Sequence, residues 1–273
     1  MNFGSSRAVP WKMKILDPII IAFSTYSIIP MPERRWSREN MRLAMCFFPL
    51  VGAAAGALLW LWNLLCLRFS FPELLRAAGL SVIPVIFTGG IHLDGYMDTC
   101  DALSSHGDRK TKFSILKDPH TGAFAVIRLA CLFLILPALW QAYPATDYDG
   151  VLVILILMFS RCLSGLSVLS FPIAEGSGMA ASFSAAAFSG KEERSGKGIL
   201  WLQSGECVLV ALLLCLRGLG GILCAISGVI VFLYYKRMSL KEFGGLNGDQ
   251  AGWFLTLAET WMLAVTVFSG LIL

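Results

Sequence analysis

The sequence predicts an all-α polytopic integral membrane bundle, on three observations. The chain of 273 residues is 56% hydrophobic and only 15% charged, where soluble domains run nearer 45–50% apolar and about 25% charged. Its apolar residues fall in runs close to the roughly 20 residues that a spanning helix needs. Lysine and arginine cluster in every second connection between those runs, the pattern that basic loops impose on topology. These figures exclude a disordered chain, a coiled coil and a small disulfide scaffold. They also assign the net charge of +4 to loop residues, with no nucleic-acid surface implied.

Taken in order, residues 15–30 follow Lys12 and Lys14 but contain Asp17 and Pro18 and end at Pro30 and Pro32. This segment is expected to be re-entrant or interfacial. Residues 43–67 carry no charge, and Gly52 to Ala57 give them a small-residue face suited to close helix contact. Residues 77–91 are apolar but short. Residues 122–145 are interrupted by Arg128, 150–172 by Arg161, 199–216 by Glu206 and 251–273 by Glu259, while 218–235 are uncharged. About seven spans follow, in a single membrane-embedded domain over 1–273. Seven of the eight cysteines lie in or beside these runs without CxxC spacing and read as small apolar residues.

The basic connections are 31–42 (Arg34, Arg35, Arg38, Arg42), 92–120 (Arg109, Lys110, Lys112, Lys117), 191–197 (Lys191, Arg194, Lys197) and 236–241 (Lys236, Arg237, Lys241). The connections between them are poor in base: 68–76 holds Arg68 and Arg76, 146–149 holds Asp147 and Asp149, and 217–221 holds Arg217. Placing the four basic connections in the cytoplasm satisfies every span. The motif loops 88–122, 174–198 and 236–250 then share the cytoplasmic side of a cell membrane.

Polar clusters beside a span are costly and tend to be functional. The stretch Thr88 to Asp101 reads TGGIHLDGYMDTCD. Asp94, Asp98 and Asp101, at i, i+4 and i+7, put three carboxylates on one helix face. A hard cation between them relieves their repulsion, and Mg²⁺ is the usual partner of carboxylates and phosphate substrates. A solvated acidic helix start is the simpler alternative. His92 stands close enough to bind a ligand or move a proton, and Gly89, Gly90 and Gly95 let backbone amides approach an anion.

Three further clusters accompany the triplet. Lys117, His120 and Gly122 form a candidate phosphate-binding turn, with Asp118 as a further metal ligand. Glu175 and Gly176 open a run of small residues that would either wrap a substrate or act as a linker. Gly244, Gly245 and Gly248 precede Asp249 and the last span, a second anion or metal cradle. Within the spans, Arg161 needs a counter-charge or a phosphate, and Glu259 needs a partner. Carboxylates, a metal and bases on one side of a membrane suit phosphoryl transfer, with His92, Asp94, Asp98 and Asp101 as the catalytic candidates. No Walker A, HExxH or GxSxG pattern is present.

The motifs resemble those of the cobalamin synthase family. Gly89 to Asp101 matches GG-hydrophobic-HLDG-x-x-D-x-x-D, and Lys117, Asp118, Gly122 and Phe124 match K-D-x-x-x-G-x-F. Phe23 to Pro32, Phe48 to Gly52, Glu175 with Gly176 and Gly178, and Gly244, Gly245, Gly248 and Asp249 match further elements in the same order. His120 stands where the family commonly has Arg, and Asn247 where it has Thr. The resemblance implies a Mg²⁺-dependent integral membrane enzyme of late cobalamin biosynthesis. It would join α-ribazole, or its 5′-phosphate, to adenosylcobinamide-GDP and release GMP. It further implies Mg²⁺ on Asp94, Asp98 and Asp101, with Asp118 or Asp249 completing the shell, and His92 as base. Self-association is left open.

Two other classes compete. CDP-alcohol and prenyl transferases also use Asp-rich sites, but the first expects Ala-Arg where Tyr96 and Met97 stand and the second expects two Asp-rich repeats. An ion-coupled transporter would employ Arg161, Glu206 and Glu259, yet leaves the aspartate triplet unexplained.

Overall fold

The computed structural model describes residues 11–34, 36–174, 178–188 and 193–272, and within them the chain is helical. The helices are α1 (Trp11–Tyr26), α2 (Arg38–Arg68), α3 (Glu73–Phe87), α4 (Ile91–Ser104), α5 (Arg109–Ile115), α6 (Ala123–Ala142), α7 (Gly150–Ser170), α8 (Gly178–Phe188), α9 (Glu193–Cys215), α10 (Gly218–Met238) and α11 (Gly248–Ile272). A π-helical turn, Ser239–Phe243, extends α10.

Among the described residues, six helices are long and apolar enough to cross a membrane: α2, α6, α7, α9, α10 and α11. The seventh expected span is bent. The helix over 77–91 ends at Phe87, and α3 meets α4 at 93°. Gly89 and Gly90 make the corner with φ of +63° and +81°, a backbone region that costs residues with a Cβ about 1 kcal/mol or more. The Gly90 amide donates to the Val85 carbonyl at 2.9 Å, which closes the end of α3. The apolar part of α1, Leu16–Tyr26, rises only about 16 Å at 1.5 Å per residue and falls short of a hydrocarbon core of about 30 Å.

The small-residue face of α2 meets the most buried helix, α7. A Cβ on Gly52 would lie 2.4 Å from the Leu157 oxygen, and one on Gly56 would lie 2.7 Å from the Ile154 Cα. The two backbones therefore touch where side chains would hold them apart.

The connections sort into two ends. At one end Arg217 pairs with Asp149. There Arg76 is only 1% exposed. It donates to Asn63 Oδ1 at 3.0 Å and to the Trp140 and Tyr143 carbonyls at 2.6 Å each, and pairs with Glu73. At the other, basic end, Lys112 reaches Glu242 at 2.5 Å and Arg109 donates to the Lys241 carbonyl at 2.9 Å. The division matches the alternation of basic and base-poor connections in the sequence.

Candidate functional site

The site is assembled at the basic end by a close crossing of α4 and α11. A Cβ on Gly95 would meet the Asp249 oxygen at 2.6 Å, and one on Gly252 would meet the His92 oxygen at 2.8 Å. Because these two positions lack side chains, the first turn of α11 sits on α4 and carries Asp249 to the triplet. Asp98 is repelled by the carboxylates of Asp94, Asp249 and Asp101, and Asp249 by that of Asp94. Four aspartates thus share one field. Asp101 lies against Gly122, where a Cβ would fall 2.0–2.3 Å from its carboxylate, so any side chain at 122 must displace it.

Asn247 fixes the register of α11. Its Oδ1 accepts from the Gln250 amide at 2.9 Å, which caps the helix, and its Nδ2 donates to Asp249 Oδ2 at 3.2 Å. Asparagine before Gly-Asp at a helix start is a legible cap, yet the motif reading assigned it no role.

The loop before α11 pairs with the loop after α7. Leu246 donates to the Pro172 carbonyl at 2.8 Å, and the Ala174 amide donates to the Leu246 carbonyl at 2.9 Å. Gly245 lies so close that a Cβ would be 2.6 Å from the Ala174 nitrogen. Gly244, beside Arg109, is exposed. The 244–248 motif therefore adjoins residues 172–174, while Glu175 and Gly176 lie outside the described residues.

Beside the aspartates opens a cleft of about 260 Å³, lined by His92, Asp94, Lys117, Gly178, Asn247, Gly248 and Asp249, with apolar walls from Tyr26, Phe48 and Phe183. His92 is seated by aromatics: its ring stacks on Tyr26 at 5.9 Å and meets Phe48 edge-on at 5.9 Å. Its Nε2 is buried and has no hydrogen-bond partner among the described residues. Lys117 holds its ammonium 4.8 Å above the Phe113 ring, a cation–π contact that leaves its donors free for an anion.

Other sequence candidates are placed elsewhere. Asp118 and His120 are exposed, bind each other and do not line the cleft. Asp118 Oδ1 accepts from the His120 amide at 2.9 Å and meets Nδ1 at 2.7 Å, and these bonds hold its carboxyl below the ordinary carboxylate range. Gly89 and Gly90 form the α3–α4 corner and do not line the cleft. Arg161 is buried and ion-paired with Glu259, with Ser160 Oγ 3.0 Å from Arg161 Nη1. The two intramembrane charges are thereby paired with each other, while Arg161 Nε has no hydrogen-bond partner among the described residues. Among the described residues, no three His, Cys, Asp or Glu side chains stand close enough together to enclose a metal ion.

Residues 18–267 match the family model described as cobalamin-5-phosphate synthase. The chain is similar to the adenosylcobinamide-GDP ribazoletransferase of Lachnoclostridium phytofermentans, 37% identical over 262 residues that cover 96% of this chain and 97% of the relative. The protein of the same name from Clostridium perfringens is 34% identical over 90% of this chain and 96% of its own length. That of Pseudomonas fluorescens is 31% identical over 81% and 86%. No solved structure matches the chain.

Proposed function

The chain belongs to the cobalamin-5-phosphate synthase family, and on that footing we propose that it joins α-ribazole, or its 5′-phosphate, to adenosylcobinamide-GDP in the cleft beside α4 and α11. The observation that carries the assignment to this cleft is the convergence of Asp94, Asp98 and Asp101 with Asp249 from a helix more than 140 residues later.

The donor set suits Mg²⁺. Carboxylate oxygens are hard ligands, and the mutual repulsion of the four aspartates favours a cation among them. Mg²⁺ commonly keeps several waters and takes one or two carboxylates together with substrate phosphates, so an enclosed protein cage is not required. Asp94 and Asp98 would hold it, with Asp101 or Asp249 beside them. When bound, the ion supplies neutralisation of the diphosphate charge as GMP departs.

The chain's own residues do the rest. Lys117 directs its ammonium to phosphate oxygens. The amides at the start of α11, beside Gly248, offer an anion the positive end of the helix. His92 Nε2 accepts the proton of the attacking ribazole oxygen, which bonds to the phosphorus attached to cobinamide while the bond from that phosphorus to the GMP oxygen breaks. Tyr26 and Phe48 hold the imidazole for that transfer. The basic end is read as the cytoplasmic face of a cell membrane, following the distribution of lysine and arginine. The test is GMP release by the purified full-length chain given both substrates and Mg²⁺. Absence of GMP from a folded preparation would refute the reading.

A further inference from the structure

A second polar cavity lies on the far side of α4 from the aspartates. At 100° per residue, Leu103 points opposite to the face of Asp94, Asp98 and Asp101, with Cys100 about 130° and Ser104 about 90° from that face. These three residues line a cavity of about 440 Å³, closed by Arg128 of α6, Arg237 of α10, Lys241 of the π turn and Trp253 of α11. Met238, Tyr234 and Glu242 complete its wall. The cavity sits at the basic end, where α6 begins and α10 finishes.

Its charge is unbalanced. Glu242 is the carboxylate in the lining, and it is engaged by Lys112 at 2.5 Å and Lys241 at 3.0 Å. Arg128 and Arg237 have neither an ion pair nor a hydrogen bond among the described residues. Two free guanidiniums facing one cavity, next to an indole and a phenol, form a site for an anion.

The surroundings identify which anion. From Arg237 along α10, Leu233 and Ile230 follow at i−4 and i−7 and are 58% and 60% exposed. From Arg128 along α6, Cys131 and Ile135 follow at i+3 and i+7, and both are exposed. Each guanidinium therefore heads an exposed apolar stripe running away from the basic end toward the middle of the bundle. A free phosphate uses the cations but not the stripes. A phospholipid uses both, with its headgroup between the arginines and its acyl chains along α6 and α10. Basic pockets between spans on the cytoplasmic side take anionic headgroups in this way, and the cavity wall includes Tyr234 and Trp253, residue types enriched at membrane interfaces.

We propose that the cavity between α4, α6, α10 and α11 binds the phosphate headgroup of an anionic phospholipid through Arg128 and Arg237. The proposal goes beyond the transferase reading and does not depend on it. The test is native mass spectrometry of the full chain in detergent, titrated separately with phosphatidylglycerol and phosphatidylcholine. The wild type is expected to retain phosphatidylglycerol about tenfold or more in preference, and millimolar inorganic phosphate is expected to leave that lipid bound. The double variant Arg128→Gln/Arg237→Gln is expected to lose the preference, while Arg68→Gln at the opposite end keeps it. Equal retention of the two lipids by the wild type overturns the proposal. So does displacement by inorganic phosphate, which would indicate a soluble anion, or a preference that survives in the double variant. The wild-type arms need no variant, so a double variant that fails to fold leaves the test decisive.

Discussion

Gly95 rests on the backbone of Asp249, so close that a Cβ there would fall 2.6 Å from the Asp249 oxygen. This contact brings Asp249 into the electrostatic field of Asp94 and Asp98. It predicts that Gly95→Ala separates α4 from α11 at a cost of about 1–3 kcal/mol of stability from overpacking, with a larger fractional loss of turnover. Thermal unfolding and GMP release, measured on the same preparation, check the pair. Full activity in a folded Gly95→Ala protein would show that the contact does not position Asp249.

Gly122 stands in the same relation to the Asp101 carboxylate. Gly122→Ala is predicted to leave the fold intact, since Gly122 lies in a connection before α6, and to lower kcat by moving Asp101. Far-ultraviolet circular dichroism and initial rates distinguish this outcome from unfolding.

Arg161 and Glu259 form a buried pair, and breaking such a pair costs about 3–5 kcal/mol because one charge is left without compensation. Arg161→Met alone is predicted to destabilise by that order. Arg161→Met with Glu259→Leu is predicted to recover most of the loss, as judged by unfolding in detergent. A double variant that is stable yet inactive would restore the sequence expectation that Arg161 touches phosphate.

Asp118 and His120 were attractive as phosphate and metal ligands, yet they satisfy each other at the surface. Asp118→Asn is predicted to change turnover by no more than about twofold, the size of an ordinary surface substitution. Because its folded carboxyl lies below the unfolded value, the contribution of Asp118 is complete at neutral pH and is lost only as pH falls through and below the carboxylate range. The rate profile of the variant between pH 6 and 8 is therefore expected to parallel that of the wild type. A tenfold loss would place Asp118 in the machinery.

Much of this molecule was legible in its residues, because each feature read correctly was local. Long apolar runs with at most one charge marked the spans. The i, i+4, i+7 spacing put the carboxylates on one face, and Gly52 and Gly56 announced a close helix contact. What escaped the reading depends on pairs distant in sequence. Nothing local separates Arg161 paired with Glu259 from Arg161 facing phosphate. Gly89 and Gly90 stood out as conformationally free residues, but only the folded chain shows their positive φ turning it between α3 and α4. Asn247 was noticed as a departure from a common Thr, and only the register of α11 shows it capping the helix and holding Asp249. Tyr26 and Phe48 belonged to quoted motifs, but their packing on His92 required α1, α2 and α4 to be in place.

The claim on which the account turns is that the aspartate face, joined by Asp249, carries out the transfer. It is tested by GMP release from membranes containing Asp94→Asn or Asp98→Asn protein, supplied with adenosylcobinamide-GDP, α-ribazole 5′-phosphate and Mg²⁺. The account predicts a fall on the order of 100-fold or more for each variant, the size seen when a group stabilising transition-state charge is removed, with the protein still folded. Turnover equal to that of the wild type in either variant would contradict it.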